Sequence, residues 1–267
     1  MFALERRPSP ALAPFVKWLW YFAADLPHTR ERVLPSGANQ IVVSLCVEET
    51  RWYTGDAHDR AHSVGPAIFG GLFDRPVVIE TAGQRGCVGV AFHPGGAAAF
   101  LPLPVDETSG RLVALEDLWG RDGSVLQDWL LDAREPGAML ARMDALLLRR
   151  AQERLERDPA VELAVRELGR GARVGEVVSR LGVAHRRFIS SFSQRVGLKP
   201  KAFARVRRFQ TVLALLEEGW DWAGVAAHAG YADQAHLIRD FREFSGFTPS
   251  AYRPRGPHAR NHVAIPG

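Results

Sequence analysis

Hydrophobic and polar positions follow two different rhythms along this chain. In the front part the apolar residues come in short runs, QIVVSLCV (40–47), RPVVIETA (75–82) and CVGVAF (87–92), separated by Gly- and Pro-rich text. Runs of this length, rich in Val and Ile and bounded by turn residues, predict β-strands, with LPSG, VGPAIFGG and HPGG as the turns between them. Around 106–130 the pattern changes, and LEDLWG and SVLQDWLLDA predict helices. From Met139 the run MLARMDALLLRRAQERLERD carries apolar residues at helical spacing and stops at Asp158-Pro159. It predicts a helical connector over 139–157.

Behind the connector the chain repeats itself. Shifted by 49 positions, FISSFSQRVGLKPKAF (188–203) falls on LIRDFREFSGFTPSAY (237–252). Phe192 then meets Phe241, Gly197 meets Gly246, Pro200 meets Pro249 and Phe203 meets Tyr252. Upstream, VGEVVSRLGV (174–183) falls on WAGVAAHAGY (222–231) at a shift of 48. The one-residue difference lies in the turn, where an insertion costs least. Each copy reads as a short helix, a turn opening at Gly182 or Gly230, and a second helix: a helix-turn-helix in duplicate. Between the copies Pro200 opens a helix running to about Glu218 and stopped by Gly219. About 18 residues at 1.5 Å each give a strut of roughly 27 Å, against roughly 34 Å for one turn of B-DNA.

The pattern therefore predicts an α+β chain of two domains. A β-rich N-terminal domain with helices, expected to be cupin-like, spans 1–138, followed by the connector 139–157. An all-α domain of two helix-turn-helix units joined by a long helix spans 158–254. The stretch 255–267, without periodicity, is expected to be a disordered tail.

Charge sharpens this division. The whole chain carries +4, but residues 171–260 hold 15 Lys and Arg against 7 Asp and Glu, leaving 19 against 23 elsewhere. A basic back behind a slightly acidic front points to a polyanion that meets the back alone. No apolar run approaches the roughly 20 residues that span a bilayer, and no secretory signal is visible at the start. The two cysteines, Cys46 and Cys87, stand in apolar runs and read as buried thiols of a reducing compartment, which makes the cytoplasm the expected location.

With the text GYADQAHLIRDFREFSGFTPSAYR in its second unit, the duplicated motif resembles the AraC/XylS family of bacterial transcription regulators over residues 158–254. In the front, LPSGANQIVVSL, GVAFHPGGAAAFLPLPVDE and LEDLWG resemble an uncharacterised sensor-like domain found ahead of such units. The resemblance implies a sequence-specific, effector-responsive regulator, more often an activator than a repressor. Its implied partners are double-stranded promoter DNA and RNA polymerase, with a small-molecule effector and a homodimer as further possibilities; no membrane, cofactor or metal is implied.

Residue by residue, the second unit's reading helix is expected to place Leu237 and Phe241 inward and Arg239 outward. Gln234, Ala235, His236 and Arg239 are the expected base readers, because Gln and Arg match the paired donors and acceptors of adenine and guanine edges. The corresponding set in the first unit is Arg186, Ile189, Ser190 and Ser193. Arg187, Lys199, Lys201 and Arg242 are expected on phosphates, which position without specifying.

Other chemistry finds less support in the text. His28, His58, His62 and His93, with Asp56 and Asp59, suggest a metal site, but a turn-rich solvated loop explains TGDAHDRAH as well. The aromatic run FVKWLWYF (15–22) reads as core or dimer contact before ligand pocket. No hydrolase, metalloprotease, phosphate-loop or dinucleotide signature occurs. Two rivals stand beside the regulator: a metal-dependent or alkyl-transfer enzyme tethered to DNA, and a constitutive architectural DNA-binding protein.

Overall fold

The computed structural model describes residues 1–55, 58–151, 156–256 and 259–265. Its front half is β-rich. Strands β1 (Phe2–Arg6), β2 (Val16–Ala23), β3 (Arg30–Val33), β4 (Gln40–Ser44), β5 (Thr50–Thr54), β6 (Arg60–Val64), β7 (Ala67–Gly70), β8 (Val77–Glu80), β9 (Cys87–Phe92) and β10 (Leu112–Ala114) come first. Helices α1 (Leu115–Trp119), α2 (Arg121–Ser124), α3 (Leu126–Leu131) and α4 (Pro136–Ala151) follow. The back half holds α5 (Pro159–Gly169), α6 (Val174–Leu181), α7 (His185–Val196), α8 (Pro200–Glu217), α9 (Trp222–His228) and α10 (Gln234–Ser245), and a last strand, β11 (His262–Ile265).

Two antiparallel sheets result. One has the order β1-β2-β9-β4-β7-β10 and the other β11-β3-β8-β5-β6. Alternation explains the first sheet: Ile41 and Val43 of β4 face Val88 and Val90 of β9, and all four are buried in one cluster. VGPAIFGG, expected as a turn, instead contains the interior strand β7, whose buried Ala67, Ile68 and Phe69 lie between β4 and the edge strand β10. The aromatic run 15–22 is mostly strand β2, paired with β1 and β9.

Helix α4 closes the same core and is not a free connector. Met139, Leu140, Met143, Leu146 and Leu147 are buried in the cluster that holds Leu19, Val90 and Phe92. A helix that buries a full stripe of apolar side chains against a sheet belongs to that sheet's domain. Of the expected connector, residues 152–155 lie outside the described residues.

The six helices of the back half share a second cluster, in which Phe188, Phe192, Phe203, Phe209, Phe241 and Phe244 are buried. The repeat is physical. Phe192 stacks edge-on to Phe203 at 5.5 Å between ring centroids, and Phe241 meets Tyr252 in the same way at 5.5 Å. Gly182 and Gly230 end α6 and α9's turn at φ +64° and +72°, a left-handed conformation that glycine adopts without cost from a Cβ.

The tail expected to be disordered returns to the front domain. Its strand β11 pairs antiparallel with β3, from His262 opposite Val33 to Ile265 opposite Arg30. Glu31, with no accessible surface, accepts hydrogen bonds from His28 Nε2 at 2.9 Å, Gln84 Nε2 at 2.9 Å, Arg255 Nη1 at 2.9 Å and His262 Nδ1 at 3.0 Å. Burial by itself would raise this carboxyl, but the His262 bond, then those of Gln84 and His28, outweigh it and hold Glu31 well below the usual carboxylate range. A buried carboxylate so fully bonded fixes the tail in a way that hydrophobic periodicity cannot announce. Residues 257–258 and 266–267 of the tail lie outside the described residues.

Candidate nucleic-acid interface

Helix α10 begins at Asp233, whose side chain accepts from the backbone N–H of His236 at 2.6 Å and satisfies one of the free donors of the first turn. Leu237 and Phe241 have no accessible surface, while Gln234, Ala235, Arg239 and Arg242 are exposed. The helix therefore separates cleanly into a core face and a polar outer face. His236 lies at the border, its ring edge-on to Tyr231 at 5.1 Å and its Nε2 4.0 Å from Asp240.

Asp240 is the inner polar anchor of this unit. Buried itself, it accepts from Arg205 Nη2 and Arg208 Nη2 of α8, each at 3.0 Å. Arg205 continues to Glu243 at 3.1 Å, and Arg208 lies over the Tyr231 ring at 4.3 Å. These two arginines are consumed in holding α10 against α8. The exposed Arg239 and Arg242 make no such contact among the described residues.

Helix α7 is built differently. Ala184 precedes it and offers no side-chain cap. Arg186, Arg187 and Ser190 are exposed. Ile189 is half-buried against the helical core, and Ser193 is buried, with no hydrogen-bond partner for its hydroxyl among the described residues. Ser193 therefore leaves the outer face, and Ile189 presents only part of its side chain. The reason is tertiary: the carboxy-terminal half of α7 packs on the front domain. A Cβ built on Gly197 would stand 3.1 Å from Val105 Cγ1 and 3.6 Å from Leu72 Cγ, and Ser109 donates to the Gly197 carbonyl. Gln194, not among the expected readers, is also exposed on this face and donates to Ser190 Oγ at 3.4 Å. Its position one turn beyond Ser190 was the available signal. Lys199 and Lys201, at the start of α8, are exposed.

The two outer faces are joined by α8, whose 18 residues span roughly 27 Å at 1.5 Å per residue. Arg186 and Arg187 on one face and Arg239 and Arg242 on the other stand free of carboxylates among the described residues. An exposed face of guanidinium, amide and hydroxyl groups on a helix of this diameter fits the major groove, where such groups bond base edges and phosphates.

The histidines do not converge. His28 is bound to Glu31, His62 stacks on Trp52 at 4.3 Å and bonds Thr54, and His93 lines a cleft between the domains. His58 follows Asp56, which lies outside the described residues. Of the thiols, Cys87 is buried and pushed up to about 12 by that burial. Cys46, expected to be buried, is exposed, because it stands in the bend that follows β4.

Residues 4–114 match a family described as a domain of unknown function (DUF6597), and residues 177–255 match a family described as a helix-turn-helix domain. Among solved structures, ToxT from Vibrio cholerae O395, bound to (E)-4-(8-methylnaphthalen-1-yl)but-3-enoic acid, is 11% identical with a TM-score of 0.50. The match covers 88% of this chain and 97% of that one. The C-terminal domain of AraT, a response regulator from Geobacillus stearothermophilus, is 17% identical with a TM-score of 0.33, over 38% of this chain and 96% of that one. A probable AraC family transcriptional regulator from Rhodopseudomonas palustris CGA009 is 24% identical with a TM-score of 0.31, over 35% of this chain and 93% of that one. No curated protein matches the chain.

Proposed function

We propose, from the premise that the chain carries an AraC-type helix-turn-helix domain, that it is a sequence-specific, DNA-binding transcription regulator responsive to an effector. The observation that carries this reading is the division of α10: Leu237 and Phe241 fully buried, Gln234, Ala235 and Arg239 exposed on the other side. Exposed arginine is common on a solvated helix face, and it is the duplicated unit around Arg239 that favours a reading role.

In this reading Gln234, Ala235, His236 and Arg239 of α10 meet one major-groove segment. Arg186 and Ser190 of α7, with the exposed part of Ile189 and with Gln194, meet the next. Arg187, Lys199, Lys201 and Arg242 bond phosphates and set the register. Effector response and activation through RNA polymerase, as a monomer or homodimer, extend the same proposal to the front domain. No step of bond-making chemistry is part of it.

The test is Arg239→Ala in the full chain, measured against a randomised duplex library. Loss of about 1–3 kcal/mol for the selected site, with preference relaxed at one or two base pairs, is the expected result. The melting temperature should stay unchanged, since Arg239 touches no core residue. An unchanged sequence profile together with a lowered melting temperature would show α10 to be structural.

A further inference from the structure

Between the two domains lies a cleft of about 360 Å³, lined from the front domain by Lys17, Ala38, Phe92, His93 and Pro94 and from the back domain by Val165, Arg166, Gly169, Arg170 and Arg207. Its charge is almost entirely of one sign. Glu167 lies 3.6 Å from Arg166 and 3.8 Å from Arg170, and it also takes Arg180 at 2.6 Å. The carboxy-terminal end of α5 adds a fraction of a negative charge. Among the described residues no carboxylate lies within ion-pair distance of Lys17 or Arg207. The Trp18 ring lies 4.1 Å from Lys17 Nζ, and the charge of Glu5 acts on Lys17 from beyond ion-pair distance.

This crowding of cations is built into the fold and is not an accident of long surface side chains. Arg207 projects from the middle of α8 into the domain boundary and is half-buried. Its stem runs between two glycines: a Cβ on Gly37 would stand 3.4 Å from Arg207 Cδ, and one on Gly169 would stand 3.9 Å from Arg207 Nε. Burial lowers the proton affinity of Lys17, and the charges of Arg207 and of Arg260, itself paired with Glu217 at 3.3 Å, lower it further against the opposing charge of Glu5. Burial likewise lowers that of Arg207, with Arg260 of the tail adding to it. His93 at the same cleft is lowered by burial and then by Lys17, against a backbone hydrogen bond to Ala13. Cations brought together from both domains and the tail repel one another, a cost that a bound anion would reverse.

We propose that this cleft is a binding site for a compact organic anion carrying a dicarboxylate or a phosphate group, held by Arg207 and Lys17, with Arg166, Arg170 and His93 around it. The volume lies at the lower end of the range for small-molecule sites. Its apolar wall is short, formed by Phe92, Pro94, Val165 and Ala38, so the ligand is small and its charge dominates. Because Lys17 belongs to the front domain and Arg207 to the strut between the two reading helices, the anion bridges the domains. As an anion site the cleft stands by itself; as the effector site of a regulator it rests on the function proposed above.

The experiment uses the full chain and two probes, succinate and inorganic phosphate, each against sodium chloride at equal ionic strength. Thermal unfolding without DNA is read first. One or both probes should raise the melting temperature by roughly 5 °C at a concentration near a hundred times the Kd, and the pair should distinguish a carboxylate from a phosphate site. Lys17→Met should raise the melting temperature of the anion-free protein, by removing repulsion, and abolish most of the gain. Arg207→Gln, read by calorimetric titration, should remove binding of the same probe. The proposal is overturned if neither probe exceeds chloride or if the gain survives in the Lys17→Met, Arg207→Gln double variant. Duplex binding is read second. Anion binding intact with no change in DNA affinity would leave the site and remove its regulatory role. A loss of DNA affinity in Arg207→Gln without any anion would make the cleft a phosphate-backbone contact and overturn the proposal.

Discussion

The two helix-turn-helix units repeat one another in sequence, but they attach to the front domain in different ways. The first leans on that domain mainly through apolar contact, Gly197 against Val105 and Leu72 and Gly95 against Val161 and Val196, with one neutral hydrogen bond from Ser109 to the Gly197 carbonyl. The second is reached by polar groups. Arg32 donates to the Ser245 carbonyl at 3.3 Å and lies over the Phe247 ring at 4.4 Å, while the tail behind it ends at the buried Glu31. Apolar contact is neither screened by salt nor titrated by pH, whereas ion pairs and carboxylate bonds are. One unit is thus fixed to the front domain, and the other is held by contacts that solution conditions can loosen.

The largest effect that would break this comparison comes from the cores the units still share. Phe241→Ala should cost about 3–5 kcal/mol, as truncation of a fully buried aromatic does, and remove the second head while leaving the first folded on the front domain. Chemical denaturation should then show two transitions; a single unchanged transition would mean that the heads are not separate units.

A smaller effect separates the attachments. Glu31 is depressed in the folded protein, so its contribution is complete above the ordinary carboxylate range, near pH 4–5, and is lost as pH falls below it toward the folded value. The melting temperature of the native chain should therefore fall more steeply between about pH 5 and 3 than that of Glu31→Gln. Parallel pH profiles would show that the tail anchor contributes nothing to stability.

The smallest effect sharpens the difference at the helix starts. Asp233→Ala should cost about 1 kcal/mol by removing the cap of α10, and Ala184→Ser should add up to about 1 kcal/mol to α7. The backbone of Ala184, at φ −64° and ψ 134°, already has the extended form a capping serine needs. Denaturation midpoints of the two variants should move in opposite directions.

What could be read from the sequence follows from the range of the forces involved. The helical half was legible because its period, its glycines and its duplication are all local: α8 runs from Pro200 as its spacing implied, and Asp233 caps α10. Strands β4, β8 and β9 showed as Val-rich runs. Strands β3 (RERV) and β11 (HVAI) did not, because each is four residues long and depends on a partner far away in the chain. Ser193 was misplaced for the same reason: helical geometry alone turns it outward, and only the front domain's packing buries it. The cationic cleft draws on separate segments of both domains, so no local pattern could reveal it.

Strand β11 also has a bearing on how the chain is made. Glu31 and His262 lie 231 positions apart, with the whole helical half between them. Contacts that distant form late, since the intervening loop must be closed first. Until the segment behind α10 has been synthesised, β3 remains an open sheet edge, ready to pair with any extended chain nearby. The front domain therefore cannot finish folding during its own translation. Its completion reports that the helices between have already been made and brought into place.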